Sequence, residues 1–159
     1  MEFTLILPIL GALLIGMLSG GIAYQRKLSL TNGAREGGRF GATLPVQTEA
    51  NLNAWLDKVS GVAVNAVDDT LPNGAGGRYV CIAYVHPNGI VSTDQSTKRV
   101  EDGGTVSYSA GTCFTDGRPS SERRVQVVLR RTTDLNALVY SQSLTIQGKS
   151  VARFEALAG

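Results

Sequence analysis

Histidine is almost missing from this 159-residue chain: His86, just before Pro87, is the only one. Cysteine occurs twice, as Cys81 and Cys113, with no CxxC or Cys/His ligand spacing around either. That leaves no ligand set for a zinc site. A serine nucleophile needs a base, and His86 has no GxSxG, SxxK or paired-carboxylate context beside it, so the composition argues against an enzyme. Charge of one sign is lacking too. A net charge of +2 gives no basic field for nucleic acid, and solubility at a strand edge explains the pairs Arg123-Arg124 and Arg130-Arg131. Aromatic residues are scarce at 6% while glycine occurs 19 times, which implies many turns and a modest core. No metal or cofactor is expected.

Charge is wholly absent from Phe3 to Ala23, FTLILPILGALLIGMLSGGIA, a run bracketed by Glu2 and by Arg26-Lys27. As a helix it covers about 30 Å, the hydrocarbon thickness of a bilayer. Its hydroxyls, Thr4 and Ser19, can bond back to carbonyls of their own helix, so no side-chain polar group is stranded in lipid. The rest of the chain is too polar to sheath so apolar a rod, and a membrane span is the expectation. Pro8 removes one helical hydrogen bond and predicts a bend. Ala12, Gly16 and Gly20 recur every fourth residue along one face. Such a stripe admits a second helix closely, although glycine is also simply common in membrane helices. Tyr24 with Arg26 and Lys27 suits headgroup depth.

The two cysteines predict a disulfide between Cys81 and Cys113, and with it an oxidising, extracytoplasmic compartment. Arg26-Lys27, read alone, places the remainder of the chain in the cytoplasm. The two signals agree if basic residues preceded Met1 in a precursor. A signal-peptidase cut after Ala23, with Gly21 and Ala23 as the small residues, is the alternative, and the apolar run is long for it.

Beyond the span the helix is expected to continue to about Phe40. Gly33, Gly37 and Gly41 make this stretch either a soft segment or a close-packing face. Leu44-Pro45 is a break. A second helix is predicted over 46–67, with Leu52, Trp55, Leu56, Val59, Val62, Ala63 and Ala66 on its apolar face and Asp57 turned away. From Arg78 the period changes to two. Residues 79–85 read as a strand, Pro87-Asn88-Gly89 as a turn, and 90–93 as the returning partner. Residues 94–104 read as a polar surface excursion, 105–109 and 112–115 as short strands, and 116–121 as a loop. Arg123 to Arg131 reads as a strand with Val125, Val127 and Leu129 on one face. Thr132 to Ala137 reads as a crossover, and 141–147 and 149–154 as the last strands with a bulge or bend at Gly148. The fold class is α+β: a long N-terminal transmembrane helix, a short second helix and an antiparallel β-sheet of four to six strands. The chain divides into two units, an anchor over 1–44 and an extracytoplasmic α+β domain over 45–159.

The opening Met1-Glu2-Phe3-Thr4-Leu5-Ile6-Leu7-Pro8 resembles TadE/TadG-like pilus assembly proteins, minor pseudopilins of tight-adherence (type IVc) pili, whose chains typically read V-E-F-A-L-V-L-P before an apolar run. Residues 30–41, LTNGAREGGRFG, resemble the family's N-A-A-R-E-G-A-R-Y-A box, at the expected separation. The ending Val151-Ala152-Arg153-Phe154-Glu155 is similar to common family endings. The resemblance implies a pilin-like fold and a prepilin peptidase acting on the precursor just upstream of this numbering, which would also supply the basic leader. It implies that Glu2, with Phe3 and Pro8 in the same motif, sets subunit register by neutralising a neighbour's N-terminal amine. A carboxylate at a helix N-terminus is also favoured by the dipole alone. The implied partners are the lipid bilayer, other pilins or pseudopilins and the assembly platform. The alternative is a single-pass anchored adhesive or ligand-binding domain unrelated to pili, with the loops 94–104 and 116–121 as its candidate contact surface.

Overall fold

In a computed structural model of the chain, residues 3–45, 51–67, 71, 77–85, 96–119, 121–137 and 140–154 are described. The order is α1 (Phe3–Thr43), α2 (Leu52–Asn65), β1 (Arg78–Val85), β2 (Thr97–Val100), a 3-10 turn (Asp102–Gly104), β3 (Val106–Ser109), β4 (Arg124–Ala137) and β5 (Tyr140–Arg153). The strands form one antiparallel sheet in the order β3-β2-β1-β4-β5. Both helices lie on one of its faces. The architecture is α+β, as expected.

α1 is 41 residues long, about 60 Å of helix, and only its second half enters the body. Leu30 and Ala34 are fully buried there with Trp55, Leu56, Val59, Ala63 and Val67 of the α2 region and Val80, Ile82, Val125, Val127 and Leu129 of the sheet. The recurring glycines decide this packing. A Cβ on Gly37 would stand 2.5 Å from the Ala63 Cβ, and one on Gly33 would fall on the Val67 side chain and 2.9 Å from the Ala63 carbonyl. The 33/37/41 row is therefore a close-packing face. The Ser29 hydroxyl donates to the Val67 carbonyl at 2.9 Å and fastens the same contact.

α2 begins at Leu52, because Asn51 caps it: its side-chain oxygen accepts from the Ala54 amide at 2.8 Å. The expected start at 46 is corrected accordingly, and residues 46–50 lie outside the described residues. Trp55 is fully buried. Its ring meets Tyr84 edge-on at 5.6 Å, and its indole N–H donates to the Leu44 carbonyl at 3.1 Å.

Several strand expectations are corrected. β2 falls inside the stretch read as a surface excursion, pairing Val80 with Val100 and Ala83 with Thr97. Its fully buried Thr97 donates its hydroxyl to the Gly111 carbonyl at 2.6 Å, so a polar sequence makes a strand by satisfying itself internally. The turn at 87–89, its partner at 90–93, and His86 lie outside the described residues. Residues 112–115 are not a strand. Thr132 to Ala137 is no crossover: β4 runs through it, paired with β5 as far as Ala137 opposite Tyr140. Gly148 is neither bulge nor bend, since it sits in register opposite Leu129. It is glycine because α1 crosses there. A Cβ on it would collide with the Leu30 carbonyl and the Thr31 amide.

Candidate membrane anchor and pilus interface

The first half of α1 leaves the body bare. From Ile6 to Ile22 its large side chains, Leu7, Leu10, Leu13, Leu14, Met17 and Leu18 among them, are exposed. None of its most apolar membrane-length window is buried. Leucine and isoleucine fill it because a helix in lipid satisfies its backbone internally and needs only an apolar coat. The helix continues through Pro8. Along the stripe, a Cβ on Gly16 or Gly20 would meet nothing within 4 Å, and Ala12 is exposed. Glu2 lies outside the described residues, and Phe3 is the first helical residue.

Where the rod joins the body, Arg26 donates from Nη1 to the Thr133 hydroxyl at 2.7 Å, bonding α1 to β4. Tyr24 is 64% exposed. This junction is only half legible in the sequence, because the local pattern makes Thr133 part of a crossover rather than of a strand beside the helix.

Cys81 and Cys113 are joined by a disulfide. Cys81 belongs to β1, on the sheet face away from the helices, and the bond draws residues 111–119 across that face. The fully buried Gln126 seats the same segment. Its carbonyl accepts from the Cys113 amide at 3.0 Å, and its amide donates to the Phe114 carbonyl and to Asp116 Oδ2, both at 2.9 Å. Arg124 donates to both oxygens of Asp116, at 2.7 and 3.0 Å, and to the Pro119 and Glu122 carbonyls. Burial by itself would raise the Asp116 carboxyl. The bonds from Arg124, Gln126 and the Arg118 amide outweigh it and hold the group at about 2. Residues 116–119 of the loop are thus clamped to the sheet. Strand alternation pointed Gln126 and Arg124 to solvent, and the one available signal was Asp116 at the head of a Gly-Arg-Pro turn.

On the helix-bearing side, Asp57 accepts from the Tyr108 hydroxyl at 2.6 Å and pairs with Lys98 at 2.8 Å. The Tyr108 hydroxyl is pushed up to about 12, chiefly by its bond to Asp57 and then by burial. Asp57 is exposed, as expected of a residue turned away from the core, and from there it ties α2 to β2 and β3. Elsewhere on the sheet, a polar cleft of about 430 Å³ opens between Tyr79, Arg130, Glu101, Thr105 and Thr145, with the Arg130 guanidinium 4.3 Å over the Tyr79 ring. Among the described residues no group of His, Cys, Asp or Glu could hold a metal ion.

The first half of α1 is an exposed apolar rod, and its second half is sunk in an α+β body. Residues 1–39 match the family model described as TadE-like protein. This segment is similar to TadE-like proteins. The TadE-like match ends inside α1, at the row of glycines that packs on α2. No curated protein and no solved structure matches the chain.

Proposed function

We propose that this TadE-like protein is a membrane-anchored pseudopilin, a non-catalytic structural or assembly component of a type IVc (Tad) pilus or of related secretion machinery. The observation that carries the reading is the division of α1, bare and apolar up to Ile22 and buried from Leu30. On this reading the bare half spans the bilayer, and the body is extracytoplasmic, where the Cys81–Cys113 bond is stable. The open face of Ala12, Gly16 and Gly20 is where the helix of another pilin or pseudopilin approaches. Glu2, Phe3 and Pro8 form the register motif, and a prepilin peptidase acts on the precursor. The anchor unit remains 1–44, with the addition that residues from about 29 onward serve both anchor and body.

The test is fractionation with and without Leu13→Arg, a charge near mid-bilayer that costs about 2.5–3.5 kcal/mol of insertion. The wild-type chain should be retained in membranes, and the variant should be released or degraded. Protease added outside the cell should digest the body of the wild type. Full membrane retention of the variant counts against the anchor, and a protected body counts against the orientation. Deleting the gene should abolish or shorten pili. The cleft over Tyr79 favours the second reading, an anchored ligand-binding domain. Under it, Arg130→Glu would remove surface binding while leaving pilus assembly intact.

A further inference from the structure

We propose that the end of the β4–β5 ribbon is a second membrane contact, resting at the headgroup–acyl boundary beside α1 and fixing the tilt of the body on the bilayer. The inference rests on the membrane-anchored reading of α1, but nothing in that reading requires it.

Two tie points set the direction of the ribbon. Gly148 lies against the Leu30–Thr31 backbone, and Thr133, opposite Leu144, takes the bond from Arg26. Going down β4 and β5 from the first tie to the second therefore means going down α1 toward its apolar end. The ribbon does not stop at the second tie. Pairing continues to Ala137 opposite Tyr140, four residues further, or about 13 Å at strand rise. On α1, by contrast, Arg26 is only about 5 Å from Ala23, where the charge-free run begins. Carried on in the direction the two ties set, the ribbon ends several ångströms beyond that boundary. On the helix, Ser19, Ala23 and Arg26 are half-buried at helical spacing below the buried Leu30, while Leu18, Ile22 and Tyr24 are exposed, and Arg26 is the one whose contact with β4 is a hydrogen bond. If residues up to Ala23 are in lipid, the strands alongside them meet the same leaflet.

The sequence of the ribbon suits this place. β1 pairs with β4 as far as Arg131, and the Thr132 amide still donates to the Gly77 carbonyl at 2.9 Å; beyond that, among the described residues, the two strands pair only with each other, a structure marginal in water without further burial. Lysine and arginine stop at Arg131 and resume at Lys149. Between them, the backbone register sets Leu135 opposite Gln142 and Ala137 opposite Tyr140, and Leu144, opposite Thr133, is 39% exposed. Depth is limited by the backbone. β5 is an edge strand with unpaired amides and carbonyls, which hydrocarbon does not tolerate. The ribbon therefore stops at the interface, where amphipathic elements sink about 5–10 Å.

The experiment uses the full chain in phosphatidylcholine vesicles with brominated acyl chains, which quench tryptophan only at lipid depth. Trp55, fully buried in the body, remains as the unquenched internal reference. Leu13→Trp reports on the anchor, Tyr140→Trp and Leu144→Trp on the ribbon, and Val106→Trp on the far edge of the sheet. The two ribbon variants should be quenched severalfold more than Val106→Trp, and less than Leu13→Trp. An intact disulfide, shown by the absence of free thiol, confirms that each variant has folded. Quenching at Leu13→Trp with none at either ribbon position overturns this inference and leaves the anchor standing. No quenching at Leu13→Trp overturns the anchor and the inference with it. An unquenched ribbon that cross-links to a second copy assigns it to subunit packing, and also overturns the proposal.

Discussion

Gly148 and Gly61 show how the same residue type can be obligatory in one place and incidental in another. A side chain at Gly148 would have to displace the backbone of α1 at Leu30, whereas one at Gly61 meets nothing within 4 Å. Gly148→Ala should therefore destabilise the protein by about 1–3 kcal/mol, the range for overpacking a tight site. Gly61→Ala, on the exposed side of α2, should stabilise it by about 0.5–1 kcal/mol through helix propensity. Urea unfolding of the full chain in detergent reads both, and equal effects would contradict the packing. Asp116 gives a pH signature. Its carboxyl drops from 3.8 to about 2 on folding, so the unfolded chain binds the proton more readily. The stabilisation is complete above about pH 5 and is lost as the pH falls through 2. It amounts to about 2 kcal/mol, since one pKa unit is 1.36 kcal/mol. In Asp116→Asn, the acid-limb loss of stability between about pH 5 and pH 2 should shrink by that amount.

Among the elements, the segment 111–119 departs most from its local sequence. It carries no regular strand, yet it is held to the outer face of the sheet by a disulfide, by Gln126 and by the Asp116–Arg124 pair, whose side chains are 5% and 7% exposed. The disulfide closes a loop with a sequence separation of 32, for which chain entropy predicts about 3–4 kcal/mol. Reduction should lower the urea midpoint by the corresponding amount. It should also open 111–119 to proteolysis before the rest of the body, because the polar bonds remain but the covalent closure is gone. A body that resists protease equally in both redox states would show that the polar clamp alone holds the segment.

The molecule as a whole is organised by one helix used twice. Its bare half asks for lipid, and its glycine-lined half completes the core through Leu30 and Ala34. A body cut away from that half should fail. A chain beginning at residue 45 would leave the α2 and sheet surfaces that α1 covers open to water, and should aggregate on refolding. A chain beginning at residue 25 keeps Leu30, Ala34 and the Arg26–Thr133 bond, and should fold as a soluble monomer. Size-exclusion chromatography and circular dichroism separate the two. Equal behaviour would mean that α1 contributes little to the body.

Much of this architecture is written in local pattern. An uncharged run of membrane length, an amphipathic α2 and the alternation of Val125, Val127 and Leu129 each declare an element within a few neighbouring residues, because helix and strand periods are properties of short windows. The TadE-like motif is legible for the same reason. The glycine row at 33, 37 and 41 can be seen but not interpreted, since softness and close packing look alike until α2 is placed against it. Thr97, Gln126 and Gly148 cannot be read at all. Two are polar residues buried by partners farther along or back in the chain, and the third is a glycine required by a helix more than a hundred residues earlier. Long-range contact decides such positions, and only the folded chain holds it.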